Sequence, residues 1–286
     1  MKISGKELAS EVYQDVQKKL LMLHQKKVVP QLVIVKSSNI DAVNNYISQK
    51  IKKGEKVGIE VKVVDMNERD CENRKLIQKK IIGLNKSANI HGIIFQKPSN
   101  SQIDEAIEEL IDTQKDVDGF LENSFHKPPV YRGVIKVLEK IFNLEGDEFI
   151  AYLKTKKVVL IGKGKTGGQT IISGLKTEGF NREQLTIIDS KTSEVKKKEY
   201  LINADIIISA VGKLNPVDLN LFSKESILID IGVHFDERNK IRGDFNEEDI
   251  QDRVGYYTTT PGGIGALTVA YLMDNVVNAA IHTIIN

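Results

Sequence analysis

The feature that most constrains the fold is an apolar strand that runs directly into a glycine-rich turn. Residues 157–161 read Lys-Val-Val-Leu-Ile, and a G-x-G-x-x-G pattern follows at Gly162, Gly164 and Gly167. Gly162 allows a tight turn out of the strand, Gly164 removes a Cβ that would block a phosphate, and Gly167 lets the next helix pack against the sheet. The helix N-terminus offers backbone N–H groups to an anion, so this junction predicts a dinucleotide site.

A second strand supports this interpretation. Residues 184–188 form an apolar run that ends at Asp189, roughly 20 residues beyond the last glycine, where an acid bonds the ribose hydroxyls in dinucleotide-binding folds. An ordinary glycine-rich turn is the alternative, whereas a phosphate-binding P-loop is excluded because Gly168 stands where its lysine would be. The predicted cofactor residues are Gly162, Lys163, Gly164, Gly167, Asp189, Ser190 and Val233.

Length and charge narrow the class of protein. A chain of 286 residues is long enough for two domains, and 41 basic residues against 39 acidic ones leave a net charge of +2, which favours neither nucleic acid nor a membrane surface. The only cysteine, Cys71, allows no disulfide framework, and no apolar run of signal-peptide or membrane-spanning length is present. The lone cysteine and the lack of such a run lead us to expect a cytoplasmic protein. The five histidines are scattered, so we expect no metal site.

Periodicity predicts alternating helices and strands in the first 125 residues. Apolar spacing indicates helices at 5–27, 41–57, 72–84 and 101–111, and strands at 31–35, 59–64 and 90–95. Such alternation implies parallel strands joined by right-handed crossovers, which is an open α/β domain.

A break at 115–129, with Gly119 and the pair Pro128-Pro129, indicates the connection to a second α/β domain. That domain begins with a helix at 132–142 and carries the two strands before Gly162 and Asp189, then strands at 205–210 and 227–231. A final helix, 264–286, is expected to pack back on the first domain. The predicted division is 1–125 plus 265–286 for a substrate domain and 126–264 for a Rossmann-type dinucleotide domain.

Several residues at element ends are candidates for chemistry. Tyr46 and Lys50 are four apart on a predicted helix and share a face, where a partly desolvated lysine can exchange a proton. Gln96 ends an apolar strand, Asp116 and Asp118 lie in a glycine turn, and residues 258–268 combine hydroxyls, a proline and glycines before a helix. Each also has a plain structural interpretation, as a surface residue, a strand-end hydrogen bonder, a turn former or a helix cap.

Together these segments resemble the bifunctional methylenetetrahydrofolate dehydrogenase/methenyltetrahydrofolate cyclohydrolase family over essentially the whole chain. Tyr46-x-x-x-Lys50 followed by 57–59 resembles its Y-x-x-x-K…VGI segment, and Gln96 with Pro98 resembles its Q-x-P strand end. Residues 115–120 reproduce K-D-V-D-G-F, the turn Gly243-Asp244 is similar to its GDV turn, and residues 261–268 resemble its P-G-G-V-G-P-M-T signature.

The resemblance implies a folate cleft with nicotinamide on one side. In that family pattern Lys50 is the catalytic lysine, Tyr46 stacks on the pterin, Gln96 tunes the lysine and Asp118 holds the pterin edge. Pro261, Gly265 and Thr268 would line the same cleft. The resemblance further implies oxidation of methylenetetrahydrofolate with NAD or NADP, hydrolysis of the methenyl product to formyltetrahydrofolate, and a homodimer.

Several positions depart from the family pattern. Val43 replaces a serine, Lys97 begins a changed run after Gln96, Val130 lies in a changed P-C-T-P-x-G segment, and Ala266 and Leu267 replace proline and methionine. Asp189 would repel a 2′-phosphate and favour NAD, whereas Lys163 could hold that phosphate and favour NADP. Two other functions stay open, a two-domain dehydrogenase of the shikimate type and a non-catalytic relative that binds folate or nucleotide.

Overall fold

A computed structural model describes the chain apart from Asn39, Asn67, Pro98, Gln102, Asp104, Asn239 and Asn286. Pro98, one of the residues on which the resemblance rests, therefore lies outside the described residues. The chain divides into two compact units, one of residues 1–9 and 130–268, and the other of residues 10–129 and 269–286. We call the first the glycine-loop unit and the second the lysine unit.

The elements alternate as the periodicity predicts. The helices are α1 Gly5–Gln25, α2 Asp41–Val57, α3 Glu68–Glu72, α4 Arg74–Lys86, α5 Glu105–Glu108, α6 Pro129–Phe142, α7 Gly146–Leu153, α8 Gly168–Thr177, α9 Glu194–Ile202, α10 Glu247–Ile250 and α11 Ile264–Ile285. The strands are β1 Gln31–Lys36, β2 Glu60–Asp65, β3 Gly92–Phe95, β4 Val158–Ile161, β5 Leu185–Ile188, β6 Ile206–Ser209, β7 Ile227–Asp230, β8 His234–Phe235, β9 Ile241–Arg242 and β10 Tyr256–Tyr257.

The lysine unit contains a parallel three-stranded sheet in the order β2-β1-β3. The central strand β1 is buried over its first five residues, and it pairs in register with β3 from Leu32 opposite Gly92. The later part of α11 packs against this sheet, because Met273, Val276 and Val277 are fully buried in one cluster with residues of α1 and β1. The prediction that the last helix packs on the first domain is thus confirmed.

The glycine-loop unit contains a five-stranded parallel sheet in the order β10-β7-β6-β4-β5. The strands β4, β6 and β7 are buried along their whole length, as expected for a sheet covered on both faces. Because all five strands run the same way, the residues that follow β4, β5, β6 and β7 lie at one edge of the sheet. In folds of this class ligands bind outside that edge.

Some predicted boundaries differ from the structure. The helix expected at 101–111 includes Gln102 and Asp104, which lie outside the described residues, and the described part of the range is helical at Glu105–Glu108. It ends there because Leu110 and Ile111 bond to carbonyls three residues back and form turns. The helix α6 begins at Pro129 instead of residue 132, as suits proline in a first helical turn. Helix α7 and the short strands β8, β9 and β10 were not predicted from the sequence.

One described helix, Ile264–Ile285, is long and apolar enough to cross a membrane by composition alone. In the structure 61% of its most apolar window is buried. The burial of Met273, Val276, Val277 and Ala280 in the core of the lysine unit accounts for this hydrophobicity. The helix is therefore a core helix of the fold.

Candidate active site

Lys50 and Gln96 form the centre of the candidate site in the lysine unit. The Lys50 Nζ atom on α2 donates a hydrogen bond to Gln96 Oε1 just after β3, over 2.9 Å. The Gln96 Nε2 atom donates to the Lys97 carbonyl, also over 2.9 Å. Because the amide nitrogen is used elsewhere, the amide oxygen is the atom that faces the lysine. The structure thus brings together two residues that are 46 positions apart in the sequence.

Burial and charge set the ionisation of this lysine. Desolvation lowers the pKa of Lys50, and the Asp118 carboxylate partly opposes that effect. Burial also raises the pKa of Asp118, while the positive charges of Lys50 and Lys97 work in the opposite direction. Lys50 therefore interacts with both Gln96 and Asp118, which brings together three of the four residues predicted to be catalytic.

The loop that carries Asp118 is held by its neighbours. The Lys115 Nζ atom donates to the carbonyls of Asn85 and Ser87 at the end of α4, over 2.6 and 2.7 Å. The Asp116 carboxylate accepts from the backbone N–H groups of Gly119 at 3.1 Å and Leu121 at 2.9 Å. In the K-D-V-D-G-F segment Asp116 therefore stabilises the turn, and Asp118 is the acid that remains available to the site.

Gly119 is required by this loop for a separate reason. Its φ of 66° lies in the left-handed region, and a Cβ there would come within 2.5 Å of the His126 carbonyl oxygen. Any larger residue would displace the loop and with it Asp118.

Lys97 supplies a second cation, which was not among the site residues predicted from the sequence. Its ammonium forms an ion pair with Glu108 and a 3.2 Å hydrogen bond to Ser99 Oγ. Lys97, Glu108 and Asp118 line one small cavity whose walls include Ile93, Phe95 and Phe120. Lys97 begins the run that departs from the family pattern after Gln96, and that departure was the signal in the sequence.

Tyr46 lies one helical turn before Lys50 on α2, and its side chain is partly buried. Burial raises the pKa of its phenol, so the group stays protonated near neutral pH. The shared helix face predicted for Tyr46 and Lys50 follows from the observed helix.

The glycine-rich loop in the other unit is closely packed. Gly162 has a φ of 89°, and a Cβ there would lie 2.7 Å from the Ala210 carbonyl oxygen. A Cβ on Gly164 would meet no described atom within 4 Å, so its face is open to a ligand. The tightest approach of the helix to the loop is at Gly168, where a Cβ would overlap the Gly162 carbonyl, one residue later than expected. This cradle fits a dinucleotide pyrophosphate.

Asp189 and Lys163 face each other at the same edge of the sheet. The Lys163 Nζ atom lies 2.7 Å from Asp189 Oδ2, and the Lys191 backbone N–H donates to Asp189 Oδ1 over 2.9 Å. The hydrogen bond from Lys163 and that from Lys191 lower the pKa of Asp189 to about 2. The adjacent Ser190 is exposed, and Val233, after β7, is 41% exposed. All predicted cofactor residues thus follow strands of one parallel sheet.

The remaining predicted substrate residues belong to the glycine-loop unit. The Thr260-Pro261 peptide bond is cis. Gly265 would have open space around a Cβ, and the Thr268 hydroxyl donates to the Ile264 carbonyl over 2.9 Å within α11. Their convergence with Lys50 on one crevice stays a prediction.

The parallel sheet with its glycine cradle defines an α/β protein of the dinucleotide-binding class, whose second α/β unit carries the lysine site. Comparison with known proteins identifies the family within this class. Residues 3–118 match the catalytic domain of tetrahydrofolate dehydrogenase/cyclohydrolase, and residues 132–284 match the NAD(P)-binding domain of the same family. The chain belongs to the tetrahydrofolate dehydrogenase/cyclohydrolase family.

Individual relatives agree with this membership. The bifunctional protein FolD of Mycoplasma genitalium is 34% identical over 248 residues, which cover 86% of this chain and 85% of that protein. The crystal structure of the FolD methylenetetrahydrofolate dehydrogenase/cyclohydrolase of Campylobacter jejuni superposes with a TM-score of 0.87 at 28% identity and covers 99% of each chain. A shikimate dehydrogenase of Thermus thermophilus reaches a TM-score of only 0.52 at 12% identity, which shows a shared fold alone. The comparisons favour the folate enzyme over the shikimate alternative.

Proposed function

We propose that the chain oxidises methylenetetrahydrofolate to methenyltetrahydrofolate with a nicotinamide dinucleotide and hydrolyses the methenyl product to formyltetrahydrofolate, with Lys50 as the catalytic lysine. The hydrogen-bonded pair of Lys50 and Gln96 beside Asp118 carries this proposal. The dinucleotide, when bound, supplies the acceptor for the hydride. The other steps depend on side chains of this chain.

Lys50 serves the hydrolysis more than the oxidation. Attack of water on the cationic methenyl carbon releases a proton, and opening of the resulting ring adduct requires a proton on the departing nitrogen. An amine with a pKa below its usual value gives and takes these protons more readily than an exposed lysine. Gln96 holds the amine in place because its oxygen accepts from Lys50 while its nitrogen is fixed on the Lys97 carbonyl.

Tyr46 and Asp118 bind the pterin in this proposal. The partly buried phenol of Tyr46, one turn from Lys50, offers a flat surface for stacking. Asp118 accepts hydrogen bonds from N–H groups at the pterin edge, and the nearby cations Lys50 and Lys97 favour its ionised form. We also propose Pro261, Gly265 and Thr268 as substrate-binding residues, and residues 1–125 with 265–286 as the substrate domain.

For the dinucleotide we propose NAD as the preferred form, held by the glycine-rich loop with Lys163, Asp189, Ser190 and Val233 in domain 126–264. The Asp189 carboxylate stays ionised in the working pH range and is held by the Lys191 backbone N–H, so it suits a free 2′-hydroxyl. A 2′-phosphate would have to share Lys163 with this carboxylate.

The experiment compares NAD and NADP side by side with methylenetetrahydrofolate, for the wild-type protein, Asp189→Asn and Lys163→Met. We expect the wild type to have the lower KM for NAD, and Asp189→Asn to raise that KM about tenfold, the cost of one charge-assisted hydrogen bond. A wild-type preference for NADP that disappears in Lys163→Met would contradict the choice of NAD. Absence of turnover with both cofactors would contradict the proposed function itself.

The family resemblance implies a homodimer, and the single cysteine suits a reducing cytoplasmic compartment. We include both in the proposal. The buried position of Cys71 agrees with a protein that needs no disulfide. Light scattering coupled to gel filtration measures the mass, and a value near 32 kDa instead of twice that mass would contradict the dimer.

A further inference from the structure

A carboxylate in the glycine-loop unit organises a loop at the dinucleotide edge of the sheet. Asp244 is fully buried, and its Oδ2 atom accepts from the Ser209 hydroxyl at 2.6 Å and from the Val211 N–H at 2.8 Å. Its Oδ1 atom accepts from the N–H groups of Gly212 at 2.8 Å and Lys213 at 3.0 Å. Both carboxylate oxygens are therefore used, by four donors from one segment of chain.

The three backbone donors are consecutive, and Gly212 among them has a φ of 74°. Successive N–H groups that point to one side form a concave site of the kind that binds anions in proteins. Here a carboxylate from 31 to 33 residues away in the sequence fills that site. The Asp244 side chain therefore sets the shape of the loop 210–213 before any ligand binds.

The position of this loop gives it a role in dinucleotide binding. The loop follows β6, which pairs with β4, the strand before the glycine-rich turn. The carbonyl of Ala210 lies so close to Gly162 that a Cβ on that glycine would come within 2.7 Å of it. A shift of the loop 210–213 would therefore move the Ala210 carbonyl, against which the glycine-rich turn packs.

A second contact limits what can stand beside the carboxylate. A Cβ on Gly232, which follows β7, would overlap the Asp244 carboxylate. The Gly232 N–H donates to Asp230 Oδ1 over 2.9 Å, so the chain just before Val233 is also held in place. Asp244 thus lies between the ends of β6 and β7, both of which face the dinucleotide edge.

We propose that Asp244 is a positioning residue for the dinucleotide, which holds the loop 210–213 in the shape that the glycine-rich turn requires without contacting the cofactor. This inference rests on the proposed function. It predicts that loss of the carboxylate weakens dinucleotide binding and oxidation, whereas hydrolysis of methenyltetrahydrofolate, which uses Lys50 in the other unit, depends on it much less.

The test uses the full chain with Asp244→Asn, which keeps the size of the side chain but turns one acceptor into a donor facing N–H groups. Ser209→Ala removes one of the four donors and is the milder variant. Asp252→Asn is the matched control, an exposed aspartate of the same unit. The measurements are NADH and NADPH fluorescence titrations, both activities, and hydrogen exchange of the amides of residues 211–213.

We expect Asp244→Asn to raise the Kd for the reduced dinucleotide about tenfold or more, because it disturbs several hydrogen bonds to the loop. Ser209→Ala removes only one of them and should raise the Kd by about threefold or less. The amides of 211–213 should exchange faster in Asp244→Asn, and the ratio of dehydrogenase to cyclohydrolase activity should fall. Unchanged dinucleotide Kd in a folded Asp244→Asn protein would overturn the proposal.

Equal loss of both activities with a lowered melting temperature would also overturn the proposal, because it indicates a structural role only. Failure of the proposed function looks different. In that case the wild-type protein turns over neither methylenetetrahydrofolate nor methenyltetrahydrofolate. The dinucleotide Kd and the exchange rates of amides 211–213 still show whether Asp244 holds the loop.

Discussion

Lys50 donates a hydrogen bond to Gln96 over 2.9 Å and thereby joins helix α2 to the end of strand β3. The Gln96 amide cannot turn without losing its second bond, to the Lys97 carbonyl. Desolvation lowers the pKa of the lysine held in this way. The site therefore combines a fixed amine position with easier loss of its proton, and both properties can be tested.

Replacement of Lys50 should separate the two activities. In Lys50→Ala we expect cyclohydrolase activity to fall by about 100-fold or more, the usual contribution of a general acid–base group, and dehydrogenase activity to fall less. Lys52→Ala is the control, because Lys52 is exposed on the same helix. Stopped-flow absorbance of the methenyl product measures the hydrolysis. Wild-type hydrolysis in Lys50→Ala would exclude this lysine as the proton carrier.

Gln96→Glu tests the tuning of the lysine. A carboxylate at this position would form an ion pair with Lys50 and raise the pKa of the lysine. We expect the cyclohydrolase pH profile to move to higher pH, with a lower rate at pH 7, while Gln96→Met weakens positioning without adding charge. A pH profile that is the same in the wild type and Gln96→Glu would contradict the role assigned to Gln96.

The ion pair of Lys97 and Glu108 should affect both stability and folate binding. Lys97→Leu removes the ion pair that Lys97 forms with Glu108, whose side chain is 9% exposed, so we expect a loss of stability of about 3 kcal/mol. The same variant removes a positive charge that acts on Asp118, so the pKa of Asp118 should rise further and the KM for folate should increase.

A double variant separates these effects of Lys97. In Lys97→Leu with Glu108→Leu both members of the ion pair are replaced by apolar side chains, so urea unfolding should show most of the stability restored. The KM for methylenetetrahydrofolate should stay high, since the cation near Asp118 is still absent. Recovery of a wild-type KM together with stability would show that Lys97 matters only for folding.

Asp230 predicts a pH dependence of stability. Burial and the neighbouring Asp244 carboxylate raise the pKa of Asp230 from 3.8 to about 7. Between these pH values the Asp230 carboxyl is protonated in the folded state but ionised in the unfolded state. The free energy of unfolding should therefore fall as pH rises from about 4 to about 7, by up to roughly 4 kcal/mol for this group. Asp230→Asn cannot ionise and should lose less stability over this range.

Urea unfolding at several pH values measures the slope for the wild type and for Asp230→Asn. The comparison of variants is needed because burial also raises the pKa of Asp116, to about 6, which adds a change of the same sign. Asp252→Asn should keep the wild-type slope. Equal slopes in the wild type and Asp230→Asn would contradict the raised pKa of Asp230.

Much of the fold follows from local sequence patterns. The alternation of helices and strands, the glycine-rich turn after β4 and the acid after β5 depend on residues a few positions apart, because backbone periodicity and turn conformation are local properties. The candidate residues Lys50, Gln96 and Asp118 were recognised from the types and order of residues in their segments. The segment at 101–111 was predicted too long, since periodicity does not show where turn bonds replace helical ones.

The tertiary structure decided what each polar side chain does. Only packing shows that Asp116 forms the turn while Asp118 interacts with Lys50, and that Lys97 adds a cation to the cavity lined by Asp118. Packing likewise shows that Asp244 holds a loop 31 to 33 residues away. These roles depend on desolvation and on hydrogen bonds between distant segments. The sequence therefore determined which elements and residue types the chain contains, whereas the fold determined their partners, because burial and long-range contacts exist only once the chain has packed.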